Sequence, residues 1–143
     1  MGLNRAMDIS VSGIEAQRIT MELIASNLAN INTTRTVYGG PYRRRIPVLT
    51  EKPITFAEEL AKAEHKLYGG GVEVAEVIED ASPFPRVYKP GHPDADAQGF
   101  VSLPNVNLSD EMVDMVYISR LYEANITAFN ATKKMMQDTL TLP

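Results

Sequence analysis

Residues 92–96 read HPDAD, which puts His92, Asp94 and Asp96 within five positions. An imidazole and two carboxylates are a donor set for a divalent cation, and a metal-bound water there would suit hydrolysis. Pro93 imposes an extended or turn geometry between the donors, and no second histidine lies near. A surface turn is therefore the better reading, and a metal-dependent hydrolase built on His92 and Asp94 a remote one. His65 lies in a charged stretch and reads as solvated. Arg43, Arg44 and Arg45 form a basic triplet. In a strand, Arg43 and Arg45 would share one face and Arg44 the other. The net charge of −4 supplies no basic field around them, so a solvated or subunit-contacting strand is favoured over a phosphate or nucleic-acid site. YGGG at 68–71 lacks the lysine and spacing of a phosphate loop. No serine or histidine stands in a nucleophile motif. The residues support neither catalysis nor a metal, and they imply no cofactor.

The other polar concentration is amide. IASNLANINTT, residues 24–34, holds Asn27, Asn30 and Asn32 at the end of a long apolar-patterned segment. Asparagine is a poor helix-interior residue and a good helix-end residue. Asn27 and Asn30 are three apart and share one helical face. Their amides can donate and accept toward the backbone of a neighbouring subunit or toward the start of the following segment. Asn32 and Thr33 suit the turn out of the helix. The cluster is expected to fix helix exit and subunit register.

Two long helices must carry these groups. Residues 3 to about 31 contain no proline, and Met7, Ile14, Met21 and Leu28 recur every seven positions. Leu3, Ile24 and Ile31 fall on the companion seam, whose remaining positions are Ser10 and Gln17. This is close to a heptad pattern, and such a helix is about 45 Å long. At the other end Asn107 can cap a helix, with Asp110 and Glu111 in its first turn. From Met112 onward Met115, Tyr122, Phe129 and Met136 recur every seven positions, flanked by Leu121, Ala124, Ile126, Ala128, Ala131 and Leu140. Lys133 and Lys134 lie toward the C-terminal end, as the helix dipole prefers.

Residues 34–106 hold every proline but Pro143, together with the YGGP and YGGG breaks. IPVL from Ile46 and GVEVAEVI from Gly71 read as strands, with FVSL at 100–103 a third. Thr55 and Glu58 could open a short helix carrying Phe56, Leu60 and Leu67 on one face. The expected fold is α+β. Long N- and C-terminal helices pair as an antiparallel, coiled-coil-like hairpin around a small β-rich insert. The corresponding units are 1–33, 34–106 and 107–143. Each seam is wider than one partner helix covers, so the helices want further neighbours.

Composition sets outer limits. There is no cysteine, hence no disulfide or thiolate metal site, and no apolar run approaches the ~18 residues of a membrane span. The start, MGLNRAMDIS, lacks the apolar core and cleavage site of a secretory signal. The expectation is a cytosolic protein, or one that leaves by a route needing no cleaved signal.

Two stretches go beyond pattern. Gly13 with LIASNLANINT at 23–33 resembles the N-terminal signature of the bacterial flagellar rod and hook proteins; Asn27, Leu28, Ala29, Asn30, Asn32 and Thr33 stand in the expected order. EDASPFPRVYKPGHPDADAQGFVSLPNVN at 79–107, followed by EMVDMVYISRLYEANITAFNATKKMM, is similar to the proximal-rod members of that family. The HPDADAQG and PNVN run argues against the sister proximal-rod subunit. The resemblance implies a structural subunit, exported unfolded by the flagellar type III apparatus without a cleaved signal. It would polymerise through its terminal helices into the periplasmic, torque-transmitting drive shaft of the basal body. Implied partners are other proximal-rod and adjoining distal-rod subunits, copies of the chain itself, and inner-membrane ring and export-gate components. Nucleic acid is not among them. Expected subunit-packing residues are Leu3, Met7, Ile14, Met21, Ile24, Leu28 and Ile31 on the first helix. On the second they are Met112, Met115, Tyr122, Asn125, Phe129, Asn130 and Met136. The competing reading of another class is a soluble helical adaptor that binds one partner and never polymerises.

Overall fold

The computed structural model describes residues 2–52 and 70–141. The short helix expected around Thr55, Phe56, Glu58, Leu60 and Leu67, and His65 with it, lie outside the described residues. The element order is α1 (Gly2–Ala29), β1 (Arg45–Glu51), β2 (Val72–Glu79), β3 (Arg86–Tyr88), β4 (Phe100–Ser102) and α2 (Leu108–Thr141). The fold is α+β: a long helix at each end and a small antiparallel insert between. No described helix is long and apolar enough to cross a membrane.

The helix ends follow their side chains. α1 stops at Ala29, two residues before the last expected seam residue, Ile31, which falls in the turn that follows. There Asn30 Nδ2 donates back to the Ser26 carbonyl and Asn30 Oδ1 accepts from Thr33 Oγ1. A side-chain amide that competes for backbone partners ends a helix rather than extending it. α2 starts at Leu108, four residues before Met112. Asn107 Oδ1 accepts from the Ser109 N–H at 3.0 Å and its carbonyl from the Glu111 N–H, the arrangement of an N-cap.

β1 and β2 pair antiparallel from Arg45↔Glu79 to Glu51↔Val72, with a bulge between Val48 and Leu49. Pro47 lies in this ladder, as an edge strand permits. β3 pairs with β4 through Val87↔Val101, and Tyr88 meets Phe100 edge-on at 5.3 Å between ring centroids. Of the expected strands, FVSL is β4. Its partner β3, three residues between Pro85 and Pro90, was not foreseen.

Contacts between the helices run in opposite senses along the chain. Asn27 meets Glu111, Met21 meets Ser119, and Gln17 meets Asn125. At Gly13 the Asn125 side chain packs against the α1 backbone: an added Cβ would lie 2.8 Å from Asn125 Nδ2. Among the described residues the buried apolar core is thin: Ala16, Ile24, Tyr42 and Val101. The β1–β2 hairpin is tied to α1 by Ser12 Oγ, which donates to the Ile9 carbonyl and accepts from the Val72 N–H at 3.1 Å. Gly71 makes this approach possible. Its φ is +104°, and a Cβ there would sit 2.3 Å from Ser12 Oγ. Gly71→Ala should cost about 1–3 kcal/mol through backbone strain alone, read as faster exchange of the Val72 N–H that Ser12 holds, under conditions where the parent protects it. Gly91→Ala, which has open space around it, should stay within about 0.5 kcal/mol of the parent.

Candidate functional site

The expected register cluster lies where α1 ends, β1 begins and α2 starts. Asn27 is 1% exposed and its amide is fully used. Oδ1 accepts from the Tyr42 hydroxyl at 2.9 Å and from the Arg45 N–H at 3.0 Å. Nδ2 donates to the Arg45 carbonyl at 3.0 Å and to Glu111 Oε2 at 3.1 Å. A primary amide has two donors and two acceptor sites, and all four are filled. Toward Arg45 the side chain behaves as a neighbouring strand's peptide would, bonding both the N–H and the carbonyl. Of the two destinations open to it from sequence, Asn27 reaches the start of the insert.

Glu111 is 0% exposed. A carboxylate removed from water needs charge and hydrogen-bond partners. Asn27 supplies one, and the Arg44 guanidinium supplies the other through Nε to Oε1. Arg44 Nη2 also reaches half-exposed Asp114 at 3.2 Å. Partial burial works against the Arg44 charge. The Glu111 hydrogen bond and the Glu111, Asp114 and Asp80 charges outweigh it, so the pKa lies above the ordinary guanidinium value. The Arg44 N–H donates to Asn105 Oδ1 at 2.8 Å, and Asn105 Nδ2 donates to the carbonyls of Asp80 and Ser82. One polar network thus joins α1, β1, the turn after β2, and α2.

The basic triplet is thereby divided. Arg45 opens β1, while Arg43 and Arg44 precede it. Arg43 bonds the Asp80 carbonyl at 2.8 Å and lies 4.3 Å over the Phe84 ring. Arg44 turns inward to the network, and the Arg45 guanidinium stands over Tyr42. The HPDAD carboxylates are also engaged. Asp94 accepts from Thr34 Oγ1 at 2.8 Å and sits 3.8 Å from Arg35. Asp96 caps its own turn: its carboxyl accepts from the Phe100 and Gln98 N–H groups and pairs with Arg86, which together hold its pKa below the usual aspartate value. These groups stitch the segment after α1 to the β3–β4 turn.

Asn30 and Thr33 shape the exit turn with each other, and Asn32 is exposed. On α1, Leu3, Met7, Ile14, Met21 and Leu28 are half-buried and Ile24 is buried. Ile31, just past the helix, is half-buried as well. The most buried stripe of α1 runs through Gly13, Ala16, Thr20, Ile24 and Asn27 and meets the expected seam only at Ile24. On α2, Met115, Tyr122, Asn125, Phe129 and Met136 are half-buried, while Met112 and Asn130 are exposed. Sequence reasoning missed Tyr42 and Asn105, the pairing of Arg44 with Glu111, and the burial of Glu111. A signal was present. Counting four back from Met115, Tyr122, Phe129 and Met136 gives Glu111, Ile118, Asn125 and Thr132. A carboxylate therefore occupies a seam position, where it must be buried with a partner.

Both helices of this junction fall in stretches shared with known proteins. Residues 7–35 match the family model "Flagella basal body rod protein". Residues 97–142 match "Flagellar basal body rod FlgEFG protein C-terminal". The flagellar basal-body rod protein FlgC of Borreliella burgdorferi is 40% identical, over 99% of this chain and 98% of its own length. The chain belongs to the FlgC family of flagellar basal-body rod proteins. The FlgC proteins of Bacillus subtilis and Salmonella typhimurium are 44% and 42% identical, across 94% and 99% of this chain and 94% and 98% of their own lengths. Arg44 lies between the two matched stretches, within residues 36–96.

The asymmetry of the network sets a test. Arg44→Ala leaves Glu111 charged and buried with Asn27 alone, a loss of about 3–5 kcal/mol. Little of the chain should then be recovered in isolated basal bodies. Adding Glu111→Gln removes the stranded charge and should restore part of that recovery. Asp114→Ala, at a half-exposed partner, should cost less than about 1 kcal/mol.

Proposed function

We propose that this chain is a structural, non-enzymatic subunit of the flagellar basal-body rod, built into the proximal segment of the drive shaft. The observation that carries this is likeness to FlgC rod proteins along nearly the whole of both chains. In this reading the terminal helices pair as an antiparallel, coiled-coil-like hairpin. The Asn27–Glu111, Met21–Ser119 and Gln17–Asn125 contacts support that pairing. Units 1–33 and 107–143 are the axial core, and 34–106 is the module carried on it.

The half-buried seams of both helices then complete their burial against sibling subunits. Met112, Val113, Val116 and Tyr117, each more than half exposed on the first turns of α2, favour such further neighbours. Asn27, Asn30, Asn32 and Thr33 fix the exit angle and hence the subunit register. Partners are copies of the chain, other rod subunits of the proximal and adjoining distal segments, and components of the inner-membrane ring and export gate. The chain reaches the periplasmic rod unfolded, through the flagellar export apparatus, and folds fully on assembly.

Circular dichroism tests the last step. The purified chain at low concentration should give a helical signal well below that of helices of 28 and 34 residues, and the signal should rise on assembly. A fully helical signal independent of concentration would instead favour a stable, non-polymerising adaptor.

A further inference from the structure

An assembly that grows without closing uses heterologous contacts, in which a projection on one molecule meets a recess elsewhere on the next. Val37 and Tyr38, 100% and 97% exposed, are the most exposed large apolar side chains among the described residues. They stand at the tip of an ordered turn. The Thr36 N–H donates to the Gly40 carbonyl at 2.8 Å, and the Gly39 N–H to the Thr36 carbonyl at 3.0 Å. Thr36 Oγ1 adds a bond to the Gly39 carbonyl. Gly39 and Gly40, at φ +86° and +74°, adopt a backbone that side chains rarely take. A turn this tightly made, presenting a valine and a tyrosine wholly to water, contributes nothing to the chain's own core.

The same chain carries a recess of matching chemistry. A hollow of about 270 Å³ lies between the second half of α1, the start of β1 and the first turns of α2. Its apolar walls are Leu23, Ile24, Ile46, Pro47, Tyr117 and Ile118. It is smaller than the roughly 300–1,000 Å³ of small-molecule pockets, a size for a protruding side chain rather than a cofactor. Asp114, half-exposed, lines it and offers an acceptor to a phenol. Asn27 and Glu111 also line it, so the hollow sits over their contact.

We propose that Tyr38, with Val37 beside it, seats in this hollow of a second copy of the chain, its hydroxyl donating to Asp114. The inference rests on the rod-subunit reading. Projection and recess lie on different segments of one copy, so each copy offers both halves of the contact and passes it on to the next in a growing assembly.

Replacing Tyr38 by the photoreactive p-benzoylphenylalanine in the full chain, in basal bodies of the parent bacterium, tests it. Illumination should give chain-to-chain adducts, with position 38 joined to residues 23–24, 46–47 or 117–118 of another copy. Ile118→Glu in the same chain should abolish them. An adduct to a different protein or another segment, or none in basal bodies that hold the chain, overturns the contact. Because the chain has no cysteine, Val37→Cys with Ile46→Cys gives a second readout. Mild oxidation should yield a ladder of disulfide-linked multimers that neither single variant gives; assembled double variant without a ladder also overturns it. Absence of the unmodified chain from basal bodies would defeat the rod reading, and this contact with it. Its presence with adducts elsewhere would defeat this contact alone.

Discussion

The Glu111 carboxylate is out of contact with water, and what surrounds it dictates how the rest of the chain can be arranged. Its charge is tolerable only with the Arg44 guanidinium and the Asn27 amide in place. Arg44 belongs to the insert, Asn27 to the end of α1, and Glu111 to the first turn of α2. The helices cannot come together at this end unless the insert delivers its arginine. The insert cannot seat Arg45 against Asn27 unless α1 is formed to that point. Three segments far apart in sequence therefore settle as one unit, through hydrogen bonds that must all be made together.

Polar groups set register along the helices while apolar groups leave surface uncovered. Gln17 meets Asn125, Asn27 meets Glu111, and Gly13 leaves room for the Asn125 side chain. Each pairing tolerates one alignment, as polar residues on an apolar seam do in coiled coils. The methionines are flexible and indifferent to exact alignment, and suit contact with non-identical neighbours. A rod subunit needs both. Fixed internal geometry makes every copy alike, and adaptable outer faces meet whatever lies beside it.

The large features were legible because they rest on local chemistry. Seven-residue spacing wrote both helices, Asn107 wrote the start of the second, and β-branched runs wrote three of the four strands. Asn27 was recognisable as out of place inside a helix. Its partners were not, since Tyr42, Arg45 and Glu111 lie 15, 18 and 84 positions away and no local rule links them. The arginine triplet misled for the same reason: strand alternation describes Arg43–Arg45 only if all three are in the strand, and β1 begins at the third. β3 escaped notice because three residues between prolines carry too little pattern, and it exists only because β4 offers an edge. By position in the first turn, Glu111 reads as a complement to the helix dipole. Its seam position pointed inward, and the matching cation was four elements upstream.

Hydrogen exchange resolved by residue tests the coupling most directly. The Arg45 N–H bonds to Asn27 Oδ1, while the amides of Ile24 and Met115 lie within the two helices. If Glu111, Arg44 and Asn27 bind these segments into one unit, the three amides gain protection together on assembly and lose it together in the free chain. Protection at Arg45 that persists while the Ile24 and Met115 amides exchange freely would contradict the account.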